Sequence, residues 1–246
     1  MPGRLPNEAD FAFSKPIAFS ITPPSSSQQP INVLILLHGL GDTHVPFTNL
    51  GRQMNLPETV CISIRAPKPL PFDLGGFHWG DDLYFEPSSD AMNKDTGFRA
   101  SAKLIIEEVV QRALIEGCGY EYRDILFFGY SQGGMAALQV GAELQDEELG
   151  GIVCIAGWLP DSAPMLPIDK KSRTPVLLCK AAISSEVPAS ALARLKDTYQ
   201  YSEVKEWKRN ADGMPRNREE MLPIMQFLAR RLRSRKGVLE GAIELL

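Results

Sequence analysis

The chain has 246 residues, of which 44% are hydrophobic and 23% charged, with a formal net charge of −4 at pH 7. That length and apolar share suit one sizeable α/β core spanning 1–246 rather than two domains, and the mild acidity gives no footing for a nucleic-acid partner. No apolar run approaches the length of a membrane span, and Met1 to Lys15 lacks the charged-then-apolar layout of a secretory leader.

Taken in order, Ile17-Ala-Phe-Ser-Ile21 reads as a short first strand, and the polar, Pro-rich stretch 22–30 reads as a connector. Ile31-Asn-Val-Leu-Ile-Leu-Leu37 is a buried strand that runs into His38-Gly-Leu-Gly-Asp-Thr43, a loop able to expose backbone N–H groups. A helix over 46–54 and a strand over 60–64 follow. Residues 65–96 carry four prolines and aromatics at Phe72, Phe77, Trp79, Tyr84 and Phe85, a length and composition that suggest a lid-like loop. The spacing of Ile105, Val109, Val110, Ala113 and Leu114 predicts an amphipathic helix over 97–118, with Asp95 or Thr96 as its cap. Strands over 124–128, 151–156, 175–179 and 202–207 alternate with helices over 135–144, 188–199 and 218–235. This alternation implies a mostly parallel central sheet with helices on both faces. Cys61, Cys118, Cys154 and Cys179 are far apart, and three lie inside apolar runs. They read as reduced, buried thiols of a cytoplasmic protein; no Cys/His cluster has metal-ligand spacing, so no metal is expected. The basic run from Arg230 to Lys236 reads as cations complementing the end of the last helix rather than as an anion or membrane site.

The chemistry concentrates at Gly129-Tyr-Ser-Gln-Gly-Gly134, between the strand ending at Phe128 and the helix beginning near Met135. Gly-x-Ser-x-Gly in strand–turn–helix context is a nucleophile elbow: the turn holds Ser131 near positive φ, and small neighbours let it close. Such a turn lifts the hydroxyl from the sheet edge and aims the first N–H groups of the helix at a nearby oxyanion.

A serine of this kind needs a base, usually a histidine held by a carboxylate in loops after later strands. Here all three histidines, His38, His44 and His78, precede Ser131. The loop after 175–179 has Glu186 as its sole carboxylate, and the loop 208–218 has no imidazole. From Ile31 to about Leu228 the chain resembles the phospholipase/carboxylesterase family that includes the acyl-protein thioesterases. His38-Gly-Leu-Gly-Asp42 matches the family's oxyanion loop, Gly129-Tyr-Ser-Gln-Gly-Gly134 its elbow, and Ala156-Gly-Trp-Leu-Pro160 its next strand end. The resemblance implies an α/β-hydrolase fold, Ser131 as nucleophile and oxyanion donors from the N–H groups of Leu40 and Gln132. It also implies hydrolysis of carboxylic esters or acyl thioesters without a cofactor. Two departures stand out: Ser184 occupies the position of the family's acid, and Arg216 stands near that of its histidine.

Two functions follow as expectations. One is a serine hydrolase weakened by loss of the triad Asp and His, acting on a small-molecule or acylated substrate. In it His44, two residues past Asp42 in the loop approaching Ser131, is the first candidate base and His78 the second; His38 is expected to pack beneath the oxyanion loop. The other is a non-catalytic binding protein on the same fold, with Lys180 and Arg216 making the pocket cationic. The oligomeric state is not legible.

Overall fold

The computed structural model describes residues 3–14, 16–25, 29–72, 74–84 and 92–235; Phe85 and Lys236 lie outside them. In chain order the elements are β1 (Phe19–Thr22), β2 (Asn32–Leu37), α1 (His44–Met54), β3 (Thr59–Ile64), β4 (Lys68–Pro69), β5 (Phe77–His78) and α2 (Arg99–Leu104). Helix α2 runs on as a π-helical stretch, Ile105–Gly117. Then come β6 (Ile125–Tyr130), α3 (Gln132–Glu143), β7 (Gly151–Ile155), β8 (Val176–Ala181), α4 (Ala189–Thr198), β9 (Ser202–Trp207) and α5 (Arg218–Arg231).

Seven strands form one sheet in the order β1-β3-β2-β6-β7-β8-β9. All neighbours run parallel except β1, which pairs antiparallel with β3 at one edge. Every residue of β2 and β3 is buried, as expected of parallel strands covered on both sides. The strand period of two then sorts side chains between two layers. Val33, Ile35 and Leu37 of β2 join a core with Ala102, Met135, Leu138 and Leu195 of α2, α3 and α4. Leu34 and Leu36 face the other way, with Phe47 of α1 and Ile224, Phe227 and Leu228 of α5. No helix among the described residues is long and apolar enough to cross a membrane.

Local signals set the helix ends, with one correction. The Thr43 hydroxyl accepts from Val45 N at the start of α1, and Asn217 Oδ1 accepts from Glu220 N at the start of α5. Neither Asp95 nor Thr96 caps α2. Its N-cap is Phe98, and the Asp81 carboxylate accepts from Arg99 N and Ala100 N at 2.9 Å each. A remote carboxylate thus supplies what the adjacent residues do not. The basic end of α5 is matched internally: Arg230 binds Glu203, Arg231 binds Glu148 and Gly150 O, and Arg233 binds Asp124.

The stretch 65–96 is not an irregular lid throughout. It contains the β4–β5 hairpin, which docks on the loop after β2 through Gly41 N to Phe77 O (2.9 Å) and Phe77 N to Asp42 O (3.1 Å). At the junction of β2 and α3 the backbones approach so closely that a Cβ at Gly133 would lie 2.3 Å from Leu37 O and 2.5 Å from His38 O. Gly133→Ala is therefore expected to cost about 1–3 kcal/mol, seen as a lower urea midpoint. An unchanged midpoint would mean that the chain after β2 yields without strain.

Candidate active site

Strand β6 ends at Tyr130, and the chain turns into α3 through Ser131, whose φ of 50° and ψ of −120° lie in a region that residues with side chains rarely enter. Such a conformation costs on the order of 1–3 kcal/mol and persists only where its surroundings over-determine it. Ser131 N donates to Ile155 O at 2.8 Å, tying the turn to β7, and Met135 N donates to Ser131 O at 3.0 Å, closing the first turn of α3. A Cβ at Gly129 would stand 2.4 Å from Gly133 O, so only glycine lets the strand end and the helix start come together.

The loop after β2 abuts this turn. A Cβ at Gly39 would lie 3.5 Å from Ser131 Cβ and 2.8 Å from the Tyr130 ring. Leu40 N has no acceptor among the described residues, and Gln132 N, first in α3, has none within its helix. Two free N–H groups therefore come from the segments that flank Ser131. The serine is only 5% exposed, and its hydroxyl has no hydrogen-bond partner among the described residues. Cavities of about 380 Å³ against Thr22, Asn55 and Cys61 and about 570 Å³ against Arg99, Ile106 and Ser162 do not include it.

The imidazoles lie elsewhere. His38 is fully buried; its Nε2 accepts from Ala66 N at 2.9 Å, so Nδ1 carries the proton it gives to Gly39 O at 2.7 Å. Trp79, also fully buried, donates its indole N–H to His38 O at 2.8 Å. Burial lowers His38 to a pKa of about 4. It packs beneath the loop after β2. His44 begins α1; its Nδ1 is buried without a partner, and burial and then Arg65 lower its pKa. His78 is buried in β5 with Nδ1 likewise unpartnered, its pKa lowered by burial and then by Lys68. Among the described residues none of the three hydrogen-bonds Ser131.

The two expected cations do not combine into a positive pocket. Lys180 pairs with Glu206 on the adjacent strand at 3.2 Å, because the parallel register sets the two side by side. Arg216 is exposed, and among the described residues only its backbone N–H is engaged, by Glu220. The charged groups felt by Tyr130, next to Ser131, are Glu186, Asp212, Arg209 and Asp42, so carboxylates outnumber cations there. Burial first, then those carboxylates, raise the Tyr130 phenol.

Sequence reasoning missed Asp212. From the loop after β9 its carboxylate accepts from Ala181 N (2.7 Å), Ser185 Oγ (2.9 Å) and Glu186 N (2.7 Å), all at the end of β8. The signal was present, since Asp212 is the only carboxylate in 208–218, but nothing in the pattern says where it points. Also missed was the segment around Lys94 and Asp95. Gln132 Nε2 donates to Lys94 O at 3.1 Å, while Gln132 Oε1 accepts from Trp79 N at 3.1 Å. Asp95 Oδ2 accepts from Trp158 Nε1 and Asp161 N, both at 3.1 Å, and burial raises its pKa.

A phospholipase/carboxylesterase family model matches residues 19–232. The chain belongs to that family. It is 31% identical to an uncharacterized hydrolase of Schizosaccharomyces pombe over 220 residues, covering 87% of this chain and 89% of the relative. A hydrolase of Mycosarcoma maydis, also uncharacterized, is 37% identical over 161 residues, 63% of this chain and 58% of the relative. Among solved structures, esterase PE8 superposes with a TM-score of 0.70 at 22% identity, covering 88% of this chain and 99% of that one. Acyl-protein thioesterase 2 of Zea mays superposes with a TM-score of 0.61 at 21% identity over the same shares. The family's α/β-hydrolase fold is thus the architecture seen here, with a sharp turn at the end of β6.

The depressed His38 pKa has a thermodynamic consequence. An unfolded histidine protonates near its ordinary value of about 6.5, whereas folded His38 resists protonation to about 4. Its contribution is complete above the unfolded value and is lost as the pH falls through that window, amounting to about 3 kcal/mol. Urea midpoints should fall between about pH 7 and 4.5 more steeply in the native chain than in His38→Gln. Equal slopes would show that another group governs acid sensitivity.

Proposed function

We propose that this family member is a weak serine hydrolase of carboxylic esters or acyl thioesters. Ser131 acts as nucleophile, and the N–H groups of Leu40 and Gln132 receive the oxyanion. The observation that carries the reading is the conformation of residue 131: a strained, positive-φ serine at a strand–helix junction, with an unpartnered hydroxyl and two uncommitted N–H groups in its flanking segments. Attack on an acyl carbon and collapse of the tetrahedral intermediate need no cofactor. His44 is the candidate base: it opens α1 directly after the loop that follows β2, two residues past Asp42, and burial and then Arg65 lower its pKa. The unmatched Arg216 and the paired Lys180 are left at the margin as substrate contacts. A small-molecule or acylated substrate and a cytoplasmic setting fit a chain whose four thiols are all free.

A second reading, a carbonyl-binding protein that does not turn over, is favoured by one observation: no imidazole among the described residues bonds the serine. Loss of triad members leaves only the residual catalysis of the oxyanion hole and binding.

Labelling with a serine-directed fluorophosphonate decides between them. Covalent labelling and p-nitrophenyl ester cleavage should both vanish in Ser131→Ala, and His44→Ala should slow both at least about tenfold. Labelling unchanged in His44→Ala removes that residue as the base. No labelling of the native chain, with ligand binding intact, selects the binding protein.

A further inference from the structure

Ser131 is only 5% exposed although it stands at the end of a strand, and the residues on either side of it, 130 and 132, are each engaged by a loop. On one side, the segment around Lys94 is held to the residue after the serine by Gln132 Nε2 to Lys94 O at 3.1 Å. It is anchored further by Asp95, which takes the Trp158 indole N–H and Asp161 N, and by Asp81 N donating to Gly97 O at 2.7 Å. On the other side, the loop after β8 is held by Asp212 at Ala181, Ser185 and Glu186, and Glu186 stands close enough to bear on the phenol of Tyr130, the residue before the serine. One direct contact joins the two sides: the ion pair between Lys94 and Glu186. It joins a segment fixed to residue 132 to a loop whose Glu186 acts on the phenol of residue 130.

The strengths of these contacts are unequal. The Asp212 carboxylate is satisfied by three donors, two of them backbone N–H groups, which makes it a durable tie. The Lys94 and Glu186 side chains are 28% and 55% exposed. A pair so open to water is weak and yields to salt. The cover is therefore firm at both hinges and weak at its seam.

We propose that the Lys94–Glu186 ion pair is the clasp of a cover over Ser131, so that access to the serine is governed by the opening of that pair. The clasp does not depend on Ser131 being a nucleophile, and its test is kept separate from hydrolysis.

In a Ser131→Cys chain, alkylation of the new thiol by uncharged iodoacetamide, followed by peptide mass spectrometry, reports access alone. The four native thiols are buried and provide an internal background. Raising sodium chloride from about 50 mM to about 1 M shortens the screening length to about 3 Å and should speed alkylation about two- to fivefold. Adding Lys94→Met should give the fast rate already at low salt and remove the salt dependence. Loss of a nearby cation raises a thiol pKa and slows alkylation, so acceleration in that variant reports opening rather than thiol chemistry. Glu186→Gln, made in parallel and checked by the same urea midpoint as the parent, should match Lys94→Met in its indifference to salt. Rates indifferent to salt in the parent, or a salt response that survives both substitutions, overturn the clasp. A gated thiol in a chain that fluorophosphonate never labels would sink the hydrolase reading and leave the clasp standing.

Discussion

The structure depends on one close approach. Leu37 O and His38 O at the end of β2 press against Gly133 at the start of α3, two residues past the positive-φ Ser131. The parallel register, Leu37 beside Gly129, brings the two strand ends level so that both loops emerge at one rim of the sheet. Burial of β2, β3 and β6 between two helical layers holds that register, because a slip by one residue would exchange the contents of both cores. The sheet register thus supports the strained turn together with the serine's own bonds to Ile155 and Met135.

His38 shows how the rim is finished. Its ring spends both nitrogens on backbone, at Gly39 and Ala66, and Trp79 closes over it by donating to its carbonyl. Burial outweighs the nearby Asp42 carboxylate and keeps the ring neutral, and neutrality lets one nitrogen accept while the other donates. His38 is therefore committed to shaping the loop after β2.

Where a triad would join the loops after β8 and β9 through an acid and an imidazole, this chain joins them in the opposite sense. The carboxylate belongs to the later loop, and its partners in the earlier one are two N–H groups and a hydroxyl. Such a link fixes loop geometry but carries no base. Such a chain keeps unengaged N–H groups beside Ser131 and has no imidazole bonded to it among the described residues, and both proposed readings rest on that imbalance.

Much of this was legible in the residues. Continuous apolar runs marked the buried strands, and the period of apolar positions marked the helices. Gly129, Gly133 and Ser131 announced a turn that only small neighbours permit, and no histidine follows His78 in the sequence. These are local properties, set by sterics and by which groups can titrate. The cap of α2 by Asp81, the pairing of Lys180 with Glu206, the reach of Asp212 to β8 and the crossing of Lys94 to Glu186 were decided by the tertiary structure alone. A charged side chain pairs with whatever the fold sets within a few ångströms, and separations of 18 to 92 positions along the chain leave no periodicity to read.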